Sequence, residues 1–424
     1  MRAALHAILK RLITLGTLTV QWPDGSRTVY SGPPGSGAEA GLALRDAVTV
    51  RRLVLNPALS AGECYMDGGL HPDGCDIYQL LDLLIANMMA NAHGHPLARL
   101  RSAVLATRRR IDQYNPANRA RANVAHHYDL NGRLYSLFLD RDRQYSCAYF
   151  PRGDETLEEA QAAKKRHIAA KLRLDRPDLT VLDVGSGWGG LGLTLARDYG
   201  ARVLGVTLST EQLAESRARA EAEGLTDRVR FELLDYRSIT ERFDRIVSVG
   251  MFEHVGIVHY RTFFATVARC LKPDGVMLLH AIGRNEQPGI TNPWLAKYIF
   301  PGGYCPALSE VLAPIERSPL LVTDIEILRL HYAETLRHWR RRFAANRDAI
   351  AALYDERFCR MFEFYLAGAE LSFRRENMMI FQIQLAHEQT AVPLTRDYVT
   401  TTERRMANAT DTASNPVSEL RRSR

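Results

Sequence analysis

From about residue 180 onward, short apolar runs alternate with amphipathic stretches. TVLDVG, RVLGVT, VRFELL, FDRIVSVG and GVMLLHAIG read as buried strands, and helices are expected over about 189–199, from Glu211 to Glu223 and near 259–271. That order predicts a doubly wound, Rossmann-like α/β sheet. After Gly283 the alternation breaks at a Pro- and Gly-rich loop, NPWLAKYIFPGGYCP (292–306). A strand-like LVTDIEILRL (321–330), two long helical patterns between 331 and 376 and a last strand-like MMIFQIQL (378–385) come after it. Residues 1–115 lack the alternation and combine a strand pair around the WPDG turn (22–25) with helical spacing, as at Leu5, Ile8, Leu9, Leu12 and Ile13. They are expected to form a smaller N-terminal domain, with a catalytic domain over 116–400. Residues 401–424, polar and without periodicity, are expected to be a disordered tail.

Length and composition suit a globular chain of about two to three domains, with 424 residues of which 24% are charged. The apolar stretch LLDLLIANMMA (80–90) carries a charge and falls short of the ~20 residues that span a bilayer. Lys10 and Arg11 interrupt any signal-peptide core, so a mature cytoplasmic protein is expected. Six cysteines, at 64, 75, 147, 270, 305 and 359, show no metal-binding or disulfide spacing; most are expected to be buried thiols, and no metal site is expected. The net charge of +7 is concentrated at Arg99, Arg101, Arg108, Arg109, Arg110, Arg119 and Arg121, and again at Arg421, Arg422 and Arg424. Such a patch suits an anionic partner, nucleic acid or acidic lipid, unless it is a solvated helix face.

In VLDVGSGWGG, Gly185, Gly187 and Gly190 satisfy GxGxxG between a strand and a helix. A dinucleotide site would want an acidic residue at the end of the next strand, where Thr207-Leu208-Ser209 stand instead. Asp183, two residues before the turn, completes D-x-G-x-G-x-G, the glycine loop of S-adenosylmethionine methyltransferases, in which small residues let the backbone approach the cofactor. A second conspicuous feature is SVGMFEHVG (248–256), which closes a buried strand with Glu253 and His254 beside the apolar pair Met251-Phe252.

Eight separated motifs resemble, in order, cyclopropane-fatty-acyl-phospholipid synthases and the related mycolic acid cyclopropane synthases: HHYDLNGRLY (126–135), YSCAYF (145–150), VLDVGSGWGG, VTLSTEQ (206–212), FDRIVSVGMFEHVG, LKPDGVMLLHAIG (271–283), KYIFPGGY (297–304) and LHYAETLRHW (330–339). The resemblance implies a class I S-adenosylmethionine-dependent methyltransferase fold with helical insertions, which methylates a cis double bond of an acyl chain and closes a ring. It implies that Tyr145, Ser146, the loop Leu182–Gly190 with Asp183, Gly185, Gly187, Trp188 and Gly189, then Thr207, Leu208, Gln212, Tyr236 and Arg237 contact the cofactor. It also implies that a bicarbonate ion is held by Cys147, Glu253, His280, the backbone of Ile282, and Tyr332. Three of these have a plainer reading, Cys147 as an inert core thiol, His280 as a satisfied core histidine and Tyr332 as helix packing, whereas an acid such as Glu253 after an apolar strand rarely stays unpaired when buried. His254 reads as structural. Where relatives carry a cysteine in a YLxxC context this chain has Ala369, which excludes a covalent thiolate there. Ser186 stands where many relatives have Cys, and LNGRLY lacks their GND.

The chemistry asks for such a cage. An alkene has no proton to lose before it attacks, so a base is needed only afterwards, at the newly attached methyl. The intermediate is a carbocation that water would quench, so the pocket must be dry and apolar yet hold one base. Glu253 then belongs to a polar cage around a small anionic base and shares a proton with it, or is offset by donors such as His280 and Tyr332. The extra N-terminal portion, including GECYMDGGL (62–70), favours the phospholipid branch of the family. The expected partner is a phospholipid membrane surface, met peripherally from the cytoplasmic side: the basic segment 99–121 holds headgroups, and the loop around Trp294, Tyr298, Ile299 and Phe300 either meets lipid or packs in the core. A homodimer is compatible with the chain. Competing readings are a methyl- or methylene-branching enzyme that leaves the ring open, an RNA methyltransferase, against which stands the lack of any RNA-binding signature, and a non-catalytic lipid-binding protein.

Overall fold

The computed structural model describes residues 1–91 and 132–414. In its first part, helices α1 (Arg2–Leu12), α2 (Ala47–Leu55), α3 (Pro57–Met66) and α4 (Ile77–Asn91) pack on a sheet of β1 (Thr17–Gln21), β2 (Arg27–Ser31), β3 (Glu39–Leu44) and β4 (Leu70–Pro72), ordered β2-β1-β3-β4. The WPDG turn closes the β1–β2 hairpin, with Gly25 at φ +81° and its amide donating to the Trp22 carbonyl at 2.9 Å. Leu5 and Leu9 of α1 are buried in this core with Leu18 and Val20, while Ile8 faces out. The basic segment and the expected boundary at 115 lie outside the described residues.

The second part begins with α5 (Gly132–Phe138) and α6 (Leu157–Lys171), then alternates β5 (Thr180–Val184), α7 (Gly190–Tyr199), β6 (Arg202–Thr207), α8 (Thr210–Ala222), β7 (Val229–Leu233), β8 (Phe243–Val249), α9 (Tyr260–Cys270) and β9 (Leu271–Arg284). Next come α10 (Pro293–Tyr298), α11 (Leu308–Ile315), β10 (Leu321–Leu328), α12 (His331–Ala345), α13 (Arg347–Leu353), α14 (Glu356–Arg375), β11 (Met378–Ala386) and α15 (Asp397–Ser414). The seven-stranded sheet runs β10-β11-β9-β8-β5-β6-β7. Its β5 to β9 neighbours pair parallel, and β11 joins β9 and β10 antiparallel. Alternate strand residues feed opposite cores: Val181, Val203 and Leu278 pack under α6 and α7, while Leu182, Leu204, Met277 and Leu279 pack against Phe263, Phe264 and Val267 of α9. The strand order reverses at β5, so the crevice for a ligand opens beyond the carboxyl ends of β5, β6 and β8.

One expectation is corrected and, for a second, one of two alternatives is favoured. Residues 401–414 are helical, as part of α15: Val399 is buried, Met406 packs on the α6–α7 core, and Glu403 pairs with His167. A weakly patterned helix forms there because tertiary contacts hold it. In the loop after β9, Trp294 and Ile299 are 2% and 4% exposed while Tyr298 and Phe300 are half-buried, which favours the packed alternative for this loop. Among the described residues no helix is long and apolar enough to cross a membrane. All six cysteines are free thiols; Cys64, Cys147, Cys270 and Cys359 are buried, and Cys75 and Cys305 half-buried.

Candidate active site

The β5–α7 turn is shaped by residues without side chains. Gly185, Gly187 and Gly189 sit at φ +85°, +54° and +82°, a region that costs any other residue about 1–2 kcal/mol. A Cβ on Gly185 would stand 2.7 Å from Cβ of Met251, so this glycine lets the β8 loop close over the turn. A Cβ on Gly187 would meet nothing within 4 Å, because this residue faces open cleft. Gly190 opens α7 against Asp142, whose carboxylate takes charge-assisted bonds from Lys165 at 2.6 Å and from Arg219. At the end of β6, Thr207 Oγ1 donates to Gln212 Oε1 at 2.8 Å, and Ser209 caps α8 by accepting from the Gln212 amide at 3.2 Å.

These turns enclose one cleft, walled by Tyr145, Ser146, Asp183, Gly185, Gly187, Trp188, Thr207, Leu208, Gln212, Tyr236 and Arg237. Of the cofactor residues expected from the sequence, all are on that wall except Leu182, Gly190 and Gly189; the last turns inward, where a Cβ would lie 2.8 Å from Phe231 and Ser216. Asp183 is buried, with Oδ2 unpartnered, and burial pushes its carboxyl up to about 7, against the pull of Lys164.

Behind the wall sits the second expected group, none of whose members lines the cleft itself. Cys147 follows the cleft residue Ser146, and Glu253 lies in the short turn between the cleft residues Met251 and His254. The Glu253 carboxyl is 6% exposed; its Oε1 accepts from the Ile282 amide at 2.5 Å, and Oε2 has no partner. Burial drives its pKa up to about 7, so near neutrality it keeps a proton much of the time. On the same strand face as Ile282, His280 takes a bond at Nδ1 from the Gln382 side-chain amide at 3.0 Å, which leaves Nε2 carrying the proton and unpartnered. Burial lowers the imidazole well below its ordinary value, so His280 is neutral. Cys147 and Tyr332 are buried in one aromatic cluster with Trp339 and Phe362, against which Ile282 packs. Burial raises the Cys147 thiol well above its ordinary range, so no thiolate forms.

Sequence reasoning passes over several site residues. Lys164 of α6 is 1% exposed, and its Nζ donates to Gln144 Oε1 at 2.6 Å and Ser146 Oγ at 2.8 Å beneath the cleft floor. Burial lowers its pKa to about 8. Asp235 lines the cleft and clamps Arg237 through two bonds at 2.9 and 2.6 Å; the acid one residue before the Tyr236-Arg237 pair is the available signal. His254, read as structural, also faces the cleft, and burial takes its pKa down to about 4.

A family model described as mycolic acid cyclopropane synthetase matches residues 116–383. This chain belongs to that family. Its family relatives include the cyclopropane-fatty-acyl-phospholipid synthase of Escherichia coli (strain K12), 39% identical over 350 residues, 82% of this chain and 87% of that one. Tuberculostearic acid methyltransferase of Mycobacterium tuberculosis is 33% identical over 398 residues, 91% of each chain. Among solved family members, a cyclopropane synthase of Mycobacterium tuberculosis aligns with TM-score 0.60 at 33% identity, over 64% of this chain and 99% of its own. A mycolic acid cyclopropane synthase solved with SAH and CTAB aligns with TM-score 0.60 at 35% identity, over 65% and 99%.

Proposed function

We propose that this chain is a cyclopropane-fatty-acyl-phospholipid synthase, an S-adenosylmethionine-dependent enzyme that adds a methylene unit across the cis double bond of an unsaturated phospholipid acyl chain. The observation that carries the reading is the pair of bare polar atoms, Glu253 Oε2 and His280 Nε2, buried among apolar side chains directly behind the glycine-loop cleft. Buried polar atoms without partners are rare and costly, and a small anion with acceptors and a proton suits this pair of donors. Bicarbonate fits: Glu253 in its protonated form and His280 Nε2 would both donate to it, with the Ile282 backbone, Cys147 and Tyr332 closing the cage. Bound, the cofactor supplies the methyl group and the ion a proton acceptor.

The chain's own residues supply the rest. The cleft wall would hold and orient the cofactor, with Asp183 and the Thr207–Gln212 turn among the residues that contact it. The aromatic cluster of Tyr145, Trp339, Tyr332 and Phe362 would give an acyl chain entering beside it an apolar, water-poor wall, and ring faces favour a developing cation. Membrane contact through the basic segment 99–121, on the cytoplasmic face, belongs to this proposal.

Incubation with S-adenosylmethionine and vesicles of cis-unsaturated phospholipid, followed by mass spectrometry and NMR of the fatty acids, tests it. Ring protons are the expected result, and an unchanged lipid refutes the reading. A branched product without a ring would favour the second reading, in keeping with a relative that is named a methyltransferase and not a cyclopropane synthase.

A further inference from the structure

Glu63 of α3 makes contacts that neither the cleft nor the cage explains. It is 8% exposed; Oε1 accepts from Lys297 Nζ at 2.7 Å and from the Tyr298 hydroxyl at 2.9 Å, and Oε2 accepts from Arg52 at 2.7 Å. Lys297 and Tyr298 both lie on α10, the six-residue helix after β9. The same helix sets Trp294 into a slot on α3: a Cβ on Gly62 would stand 2.4 Å from the indole nitrogen, which reaches Met66 Sδ at 3.3 Å. A helix this short has no stability of its own, so its position is set by what grips it.

The chain leaving α10 runs directly to the cage. Phe300 meets Tyr365 edge-on, and the Tyr365 hydroxyl pairs with that of the cleft residue Tyr145 at 3.1 Å. Thr291 Oγ1 donates to the Gly303 carbonyl at 2.7 Å, and the next amide, that of Tyr304, donates to the backbone carbonyl of Glu253 at 2.9 Å. Only a few residues separate the helix held by Glu63 from a backbone bond on Glu253 itself.

We propose that Glu63 is a positioning residue for Glu253, acting through α10 and the segment 299–304, so that the N-terminal part of the chain sets the geometry of the proton-accepting cage. The inference rests on the proposed reaction for its catalytic consequence. There, ring closure requires that the methylated cation lose a proton from its new methyl group as the second carbon–carbon bond forms. If the cage shifts, two balanced outcomes compete: a water oxygen adds to the cation while that water gives up a proton, leaving a hydroxyl group, or a neighbouring carbon loses a proton, leaving a methyl-branched alkene. The ratio of ring to these products does not depend on how much of the enzyme is folded.

The test compares Glu63→Ala and Lys297→Met with Arg375→Ala, which breaks another contact between the two parts, the ion pair to Asp82 at 2.7 Å, far from α10 in sequence. Hydrogen exchange is read on the protein without cofactor or lipid, and the product ratio on unsaturated phospholipid vesicles. Expected for both Glu63→Ala and Lys297→Met are faster exchange across 292–305, a ring fraction lower by about threefold or more, and cofactor affinity within about twofold of the parent. Arg375→Ala should match the parent in both readouts. Unchanged exchange at 299–305 in the first two variants, an equal rise in Arg375→Ala, or faster exchange with an unmoved product ratio would each overturn the inference. A parent enzyme that leaves the lipid unmethylated refutes the proposed reaction instead, and the exchange comparison still decides whether Glu63 holds the loop.

Discussion

The backbone amide of Ile282 donates to Oε1 of Glu253 at 2.5 Å, binding the carboxyl beyond β8 to the neighbouring strand β9. This bond aims the group: one oxygen is committed to the sheet, and the other is left bare and buried.

Replacing Glu253 with Gln keeps the acceptor for Ile282 but puts an amide where the bare oxygen stood. Turnover should fall by about 100-fold or more, while the dissociation constant for S-adenosylhomocysteine, measured by calorimetry, stays within about threefold. Equal losses in turnover and binding would mean that Glu253 shapes the cleft and not the cage.

The same residue predicts a pH effect on stability. Burial raises its folded pKa to about 7 from 4.5, so its contribution is fully present below pH 4.5 and lost as pH rises through 7. Across that window the parent should lose on the order of 3 kcal/mol relative to Glu253→Gln in denaturant unfolding. Asp183 shifts in the same sense but is common to both proteins.

Gly187→Val should separate binding from folding. Its side chain would project into open cleft, whereas a side chain on Gly185 would strike Met251. Both lie at positive φ and share a backbone strain of about 1–2 kcal/mol. Gly187→Val is expected to weaken cofactor binding by about 10-fold or more with a modest fall in Tm, and Gly185→Val to lower Tm further, as read by calorimetry and thermal unfolding.

A fourth prediction concerns α15. His167 places Nδ1 2.7 Å from Glu403 and Nε2 2.7 Å from Glu326, with Lys171 also on Glu326 and Tyr149 stacked on the ring. Burial works against the charged ring, but the two carboxylates outweigh it and raise its pKa above 6.5. This stabilisation is complete below pH 6.5 and lost as pH rises through the raised value. Glu326, held low by His167 and Lys171 despite its burial, keeps its share above pH 4.5 and loses it as pH falls from there toward its lowered value. Hydrogen exchange across 397–407 should therefore quicken on the alkaline side of neutrality, and His167→Gln should flatten that dependence.

Much of this is legible in the chain because it is local. The β5-to-β9 alternation comes from side-chain period, and the glycine loop from φ values that only glycine adopts freely. Even the α8 start can be placed to within a residue, since Ser209 is a standard cap. What escapes depends on distant partners. Lys164, within AQAAKKRH, reads as a solvated helix cation, and only Gln144 and Ser146 from the preceding loop make it a buried one. Trp294 and Tyr298 look like a lipid-facing loop until α3, more than two hundred residues earlier in the chain, covers them. Glu403 stands in a polar stretch whose helix is fixed by His167.

Strand β9 is paired on both sides over 276–280, with β8 and with β11, and it carries His280 and Ile282 toward its end. A ribbon laced along both edges has no hinge. Any opening that the proposed acyl substrate needs is therefore expected in the helices packed over this sheet, and not in β9 itself.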